Sequence, residues 1–219
     1  MNCSVAVLGP EGSFSDAAAS VLKVEKKKAA KIYADSFAKI FKMVLDGKAS
    51  FGFVPLSNSL HGKIQETQKL LKKYEHELRK ERILKRNIQL CLAAPKGTSF
   101  AEIHQLFLVP YVEKQCGNFL ANMLPKVNIR RCKSTSASLA LAAAAMNSAA
   151  VGSLAGAKIF KLKILARNIQ NSKKNVTTFL LFSLLPKLAL LRRDQKAPSS
   201  NDTIRETKRR RTESQKKSY

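Results

Sequence analysis

Acidic side chains are scarce in this chain. Its 219 residues hold 15 Asp and Glu against 40 Lys and Arg, a formal net charge of +25. So few carboxylates leave no convincing paired-carboxylate acid–base site. Cysteine is equally sparse. Cys3, Cys91, Cys116 and Cys132 fall into no CxxC spacing, and His61, His76 and His104 are scattered. A zinc-type cluster and a disulfide framework are both excluded on spacing, and free thiols in a reducing compartment are expected. No apolar run is long enough to span a bilayer. The N-terminus has no basic segment ahead of an apolar core, so no secretory signal is expected. A cytoplasmic protein without membrane association is the resulting expectation. The glycines spell no Walker loop, because Gly9-Pro10-Glu11-Gly12 is not followed by Gly-Lys-Ser/Thr, and no GxGxxG occurs.

What is present is positive charge, and it is not confined to one end. Residues 192–219 hold ten basic and four acidic side chains, but residues 1–191 still hold thirty against eleven. Such a field attracts anions, whether polymeric or small. Nucleic acid is not the expected partner: no RNP-like aromatic motif, zinc finger or helix-turn-helix pattern is visible. Residues 192–219 are polar, and carry Lys208-Arg209-Arg210-Arg211. They read as a disordered basic tail.

Short apolar strands alternate with amphipathic helices along the remainder. Residues 5–8, 32–34 and 51–56 read as strands. Ser36 precedes a helix whose Phe37, Ile40, Phe41, Val44 and Leu45 share one face, with Gly47 as its stop. Residues 64–83 read as a charged, exposed helix. Near residue 86 the pattern restarts, with strands over 88–92, 107–109, 127–129, 149–152 and 176–182. Helices fall over 112–124, 134–146 and 154–160. The alternation predicts an α/β fold. The restart predicts two lobes: residues 1–86 with 174–191, and residues 87–173.

Three places share one design: a strand ends, a Ser/Thr/Asn cluster follows, and a helix is expected to begin. They are Ser13-Phe14-Ser15, Asn58-Ser59 and Ser134-Thr135. Helix N-termini present unpaired N–H groups and a partial positive charge. Three of them around one cleft would hold a small carboxylate or phosphate ligand.

Seven segments then bear a family resemblance, in order, over about residues 5–184. Gly9-Pro10-Glu11-Gly12-Ser13-Phe14-Ser15 resembles GPEGTFS. Residues 52–62, with Pro55-Leu56-Ser57-Asn58-Ser59, resemble GxVPIENSxEG. Pro110 with Gln115-Cys116 resembles part of SHPQALxQC, and Ser134-Thr135-Ser136 resembles STA. Residues 149–153 and 165–170 resemble AAIGS and LAENIQD. Asn175-Val176-Thr177-Thr178-Phe179 resembles NxTRF. Together these segments are similar to the catalytic domain of the prephenate dehydratases.

That resemblance implies a two-lobed fold like the type II periplasmic binding proteins, with the active site in the interlobe cleft. It implies conversion of prephenate to phenylpyruvate, water and carbon dioxide in phenylalanine biosynthesis, with no cofactor and commonly as a homodimer. It assigns catalysis to Thr177, and substrate contact to Ser13, Asn58, Ser59, Ser134, Thr135, Thr178 and Phe179. Relatives commonly append a C-terminal ACT domain that senses phenylalanine. Here a short basic tail follows, so control by that route is not expected. The chain departs from the pattern at Thr178 for Arg, Ser57 for Glu, Leu108-Val109 for Ser-His and Tyr111 for Gln. Ala93 or Ala94 stands where a His belongs. Lys63 and Lys114 are candidate replacement cations. The departures keep open a catalytically impaired homologue that binds an aromatic carboxylate, and a basic nucleic-acid-associated protein is the remaining alternative.

Overall fold

The computed structural model describes residues 3–24, 27–172 and 174–186. The expected basic tail over 192–219 lies outside the described residues. The strands build two main sheets and a small ribbon, β2 (Lys23–Val24) with β3 (Lys27–Lys28). The first sheet runs in the order β4 (Ala30–Ala34), β1 (Ser4–Leu8), β5 (Phe51–Asn58), β13 (Val176–Leu184) and β7 (Leu78–Asn87). The short β6 (Gly62–Lys63) pairs beside β5. Strand β1 is parallel to both neighbours, and β13 runs antiparallel to β5 and β7. The second sheet is ordered β10 (Asn128–Arg131), β9 (Gln105–Leu108), β11 (Ser148–Gly152), β8 (Cys91–Ala94) and β12 (Lys163–Arg167).

The first sheet is apolar on both faces because helices cover both. On one side α2 (Phe37–Leu45) sets Ile40, Phe41 and Val44 against Leu180 and Phe182. Ser36 caps this helix by accepting from Lys39 N. On the other side α1 (Phe14–Ala19) sets Ala18 and Ala19 against Val5, Val7, Phe179 and Leu181. Residues 179–182 therefore alternate between two cores, as the two-residue period of a strand requires. Gly52 has no side chain for a packing reason: a Cβ there would stand 2.2 Å from the Phe182 ring. In the second sheet, α4 (Pro110–Gln115) and α5 (Gly117–Met123) cover one face. α6 (Thr135–Ala143) and α7 (Leu154–Ile159) cover the other.

Two passages of chain join the sheets, from β7 to β8 and from β12 back to β13. They run together: Ile88 N donates to Asn175 O at 2.8 Å, and Ile169 N to Leu90 O at 3.1 Å.

Several expectations need correction. Residues 64–83 are not one helix. α3 (Gln65–Lys73) stops, and β7 begins at Leu78. The Lys- and Glu-rich segment favours a helix locally, but nine-residue pairing with β13 overrides that preference. The expected helix over 112–124 is broken at Cys116 into α4 and α5. β12 was not expected. Asn58 and Ser59 cap no helix, because Asn58 closes β5 and α3 starts only at Gln65.

Candidate active site

A cavity of about 210 Å³ lies between the sheets, lined by residues from both. This is just below the ~300–1,000 Å³ usual for ligand pockets, so it suits a metabolite-sized molecule. A second hollow of about 300 Å³ lies between α3 and β7, with Lys72, Glu75 and Lys80 beside Leu71 and Phe182. It is larger, but it lies away from the segments that carry the polar chemistry. The smaller cavity is the candidate.

A chain of directed hydrogen bonds crosses it. Asn58 Oδ1 accepts from Leu60 N at 2.9 Å, which fixes the orientation of the amide. Asn58 Nδ2 therefore donates to Thr177 Oγ1 at 2.9 Å and to Asn175 Oδ1 at 2.8 Å. Asn175 Nδ2 donates in turn to Gln115 Oε1 at 3.1 Å. Gln115 Nε2 then faces His61 Nε2 at 2.7 Å. Gln115 ends α4 on the second sheet, whereas the other members belong to the first-sheet side. One side chain thus ties the two walls together.

The consequence for Thr177 is specific. Its oxygen already accepts from Asn58, and its own hydroxyl proton is left to be donated. The residue is 8% exposed, so that proton faces little bulk water. Phe179, two residues on, lines the same cavity, with its ring stacked on Phe53 at 4.9 Å. Thr178 projects from the opposite face, in register with Ser57 and Lys85, and does not line the cavity.

The other sequence candidates take structural positions. Ser13 accepts from Asp16 N and donates to Leu8 O, both at 3.1 Å. Ser134 caps α6 by accepting from Ala137 N at 3.1 Å, and Thr135 is buried behind it. Ser59 bonds the start of β13, donating to Lys174 O and accepting from Val176 N. None of these four lines the cavity. Asn58, Thr177 and Phe179 do. Lys63 and Lys114 are exposed and lie outside the lining.

Sequence reasoning did not single out Gln115, Asn175 or His61 as site residues, and it named Tyr111 only as a departure from the family pattern, yet all four line the cavity. Gln115 and Asn175 stand inside segments that carried the family resemblance, which was the available signal. Thiol chemistry is disfavoured. Burial pushes Cys116 up to about 12 and Cys91 to about 11, so neither is a ready thiolate.

Comparison with known proteins accords with this geometry. The sequence profile of the family described as prephenate dehydratase matches residues 5–186. The chain belongs to the prephenate dehydratase family. It is 32% identical over 186 residues to a bifunctional chorismate mutase/prephenate dehydratase of Buchnera aphidicola subsp. Schizaphis graminum, covering 84% of this chain and 48% of that protein. The corresponding enzyme of Escherichia coli strain K12 is 31% identical, with 82% and 46% covered. The chain therefore spans about half the length of these relatives. Among solved structures, prephenate dehydratase from Arthrobacter aurescens, determined in complex with L-Phe, superposes with a TM-score of 0.74. It is 27% identical, with 82% of this chain and 59% of that one covered.

Proposed function

We propose that this chain is a prephenate dehydratase acting in phenylalanine biosynthesis. In the reaction, the bond from the ring to its carboxylate breaks and carbon dioxide leaves. The electron pair released completes the aromatic ring as the ring C–O bond breaks. The departing hydroxyl takes a proton and leaves as water, and phenylpyruvate remains.

The observation that carries this reading is the donor geometry of Thr177. Asn58 donates to one of its two lone pairs, which leaves the Thr177 hydroxyl proton free to be donated to a leaving oxygen in the cavity. General-acid assistance of this kind contributes about 10²–10⁴ in rate. A threonine hydroxyl is a poor acid by its pKa, so positioning and shelter from water must supply much of the effect. Thr177 regains its proton from solvent after product leaves. Asn58 positions Thr177, and the Phe179 ring offers an apolar wall to the developing aromatic ring.

The reading extends to the chain as a whole. It takes residues 1–86 with 174–191 as one lobe and residues 87–173 as the other. Support comes from the two sheets, whose strands divide between β7 and β8 and again between β12 and β13. It also takes the protein to be a cytoplasmic homodimer. Among the described residues no helix is long and apolar enough to cross a membrane.

The test is direct: incubate purified protein with prephenate and follow phenylpyruvate. Turnover that disappears in Thr177→Ala, with the fold intact by circular dichroism, supports the assignment. Turnover that survives Thr177→Ala unchanged removes Thr177 from the mechanism.

A further inference from the structure

The described residues that line the cavity include no Lys or Arg. Prephenate carries two carboxylates, and a dianion held only by amides and hydroxyls would lack a charged partner. The geometry points to Arg86 as the group that binds a substrate carboxylate beside Thr177. This inference rests on the dehydratase reading and deepens it.

The first support is strand register. β13 lies between β5 and β7 and is antiparallel to both. Thr177 stands opposite Asn58 on one side and opposite Arg86 on the other. Residues directly opposed across antiparallel strands project from the same face, with Cβ atoms about 4.5–5.5 Å apart. Asn58, Thr177 and Arg86 therefore form one row across three strands. Asn58 and Thr177 line the cavity, and so does Ile88, two residues beyond Arg86.

The second support is an unmet hydrogen bond. Arg86 Nε is buried and has no hydrogen-bond partner among the described residues. The same strand shows the ordinary alternative. Arg79 on β7 sends Nε to Glu81 at 2.8 Å and Nη2 to the same carboxylate at 2.7 Å. Leaving a buried guanidinium N–H unpaired costs about 1–3 kcal/mol or more. Here that cost falls next to Thr177. A guanidinium presents donors in a planar fork, and the acceptor that matches the fork with charge and geometry is a carboxylate. The ligand itself would then supply the missing acceptor.

The experiment compares wild type, Arg86→Gln, Arg86→Lys and Arg82→Gln. Arg82 is an exposed arginine on the same strand and controls for loss of surface charge. Steady-state turnover and calorimetric binding are both measured with prephenate, and melting temperature reports folding. Arg86→Gln is expected to raise KM and the binding constant Kd by about ten- to hundredfold, with kcat changed far less. Arg86→Lys should recover part of the loss, and Arg82→Gln should behave as wild type. A purely structural arginine would lower the melting temperature without this split between KM and kcat. Normal wild-type turnover with Arg86→Gln indistinguishable from Arg82→Gln overturns the role of Arg86 and leaves the dehydratase reading standing. Failure of wild type to bind or convert prephenate overturns both.

Discussion

The two sheets meet along two seams, and the seams are made of different materials. At the first, the loop after β1 packs against the helices of the second sheet. Ser136 Oγ donates to Glu11 O at 3.0 Å, and Ser153 Oγ to Gly12 O at 2.7 Å. Gly12 and Gly156 approach so closely that a Cβ on Gly12 would stand 2.9 Å from Gly156 Cα. Buried Asp16 accepts from Gly12 N at 2.9 Å and is tied to Lys31 and Tyr33. At the second seam, the amides of Asn58, Asn175 and Gln115 reach His61 across the cavity. Backbone carbonyls and glycine contacts have one arrangement. Side-chain amides, each with a donor and an acceptor, can exchange partners with a ligand. The first seam sets the relation of the walls, and the second offers the chemistry.

Predictions that test this contrast begin with the second seam. Thr177→Val keeps the β-branched shape and removes the hydroxyl, so turnover should fall about 10²–10⁴-fold while melting temperature barely moves. Equal losses in both would make Thr177 part of the scaffold. Next is Gly12→Ala at the first seam. Gly12 has φ +81° and no room for a Cβ, so unfolding free energy from urea denaturation should drop by about 3 kcal/mol. An unchanged urea midpoint would show that the seam yields easily.

Asp16→Asn should cost about 2 kcal/mol, because it leaves Lys31 without its charge partner. Burial opposes ionisation of Asp16. Hydrogen bonds from Lys31, Gly12 N and Tyr33 outweigh it and hold the carboxyl below its usual range. A folded pKa below the unfolded value of about 3.9 means stability fully present above that pH. The stability is lost as pH falls through the folded pKa. Acid titration of unfolding should therefore be steeper in wild type than in Asp16→Asn below about pH 4.

Gln115→Leu cuts the cross-cavity chain and should raise KM for prephenate about tenfold, with a smaller effect on stability. The smallest effect belongs to Thr178→Val. It faces away from the cavity, so stability should stay within about 0.5 kcal/mol and turnover should match wild type. A large loss of turnover would return Thr178 to the site.

Much of the fold was legible because its signals are local. Ser36, five apolar positions at helical spacing and Gly47 define α2 without reference to the remainder. The continuous apolar stretch at residues 5–7 marks a strand buried on both faces. β7 was not legible: its Lys- and Arg-rich sequence reads as helix, and only pairing with β13 makes it an edge strand. Of the site, Asn58, Thr177 and Phe179 were found through their segments. Ser13, Ser134 and Thr135 do not themselves line the cavity, although α1, which Ser13 caps, places Phe14 and Ser15 in its lining; a serine that caps a helix looks the same in sequence whether or not its own side chain faces a ligand. Thr177 and Thr178 are adjacent and chemically identical, and only strand phase separates them.

The sequence by itself determined the α/β pattern, the family segments and their order, and the excess of positive charge. These are properties of composition and of short windows, which local preference and covalent order dictate. The tertiary structure alone decided which of two threonines faces the cavity. It also decided that Gln115 bridges the walls and that Arg86 lies in register with Thr177. The threonine and Arg86 placements depend on strand register, fixed by contacts between residues about 90 to 120 positions apart, and the Gln115 bridge depends on a contact 60 positions apart.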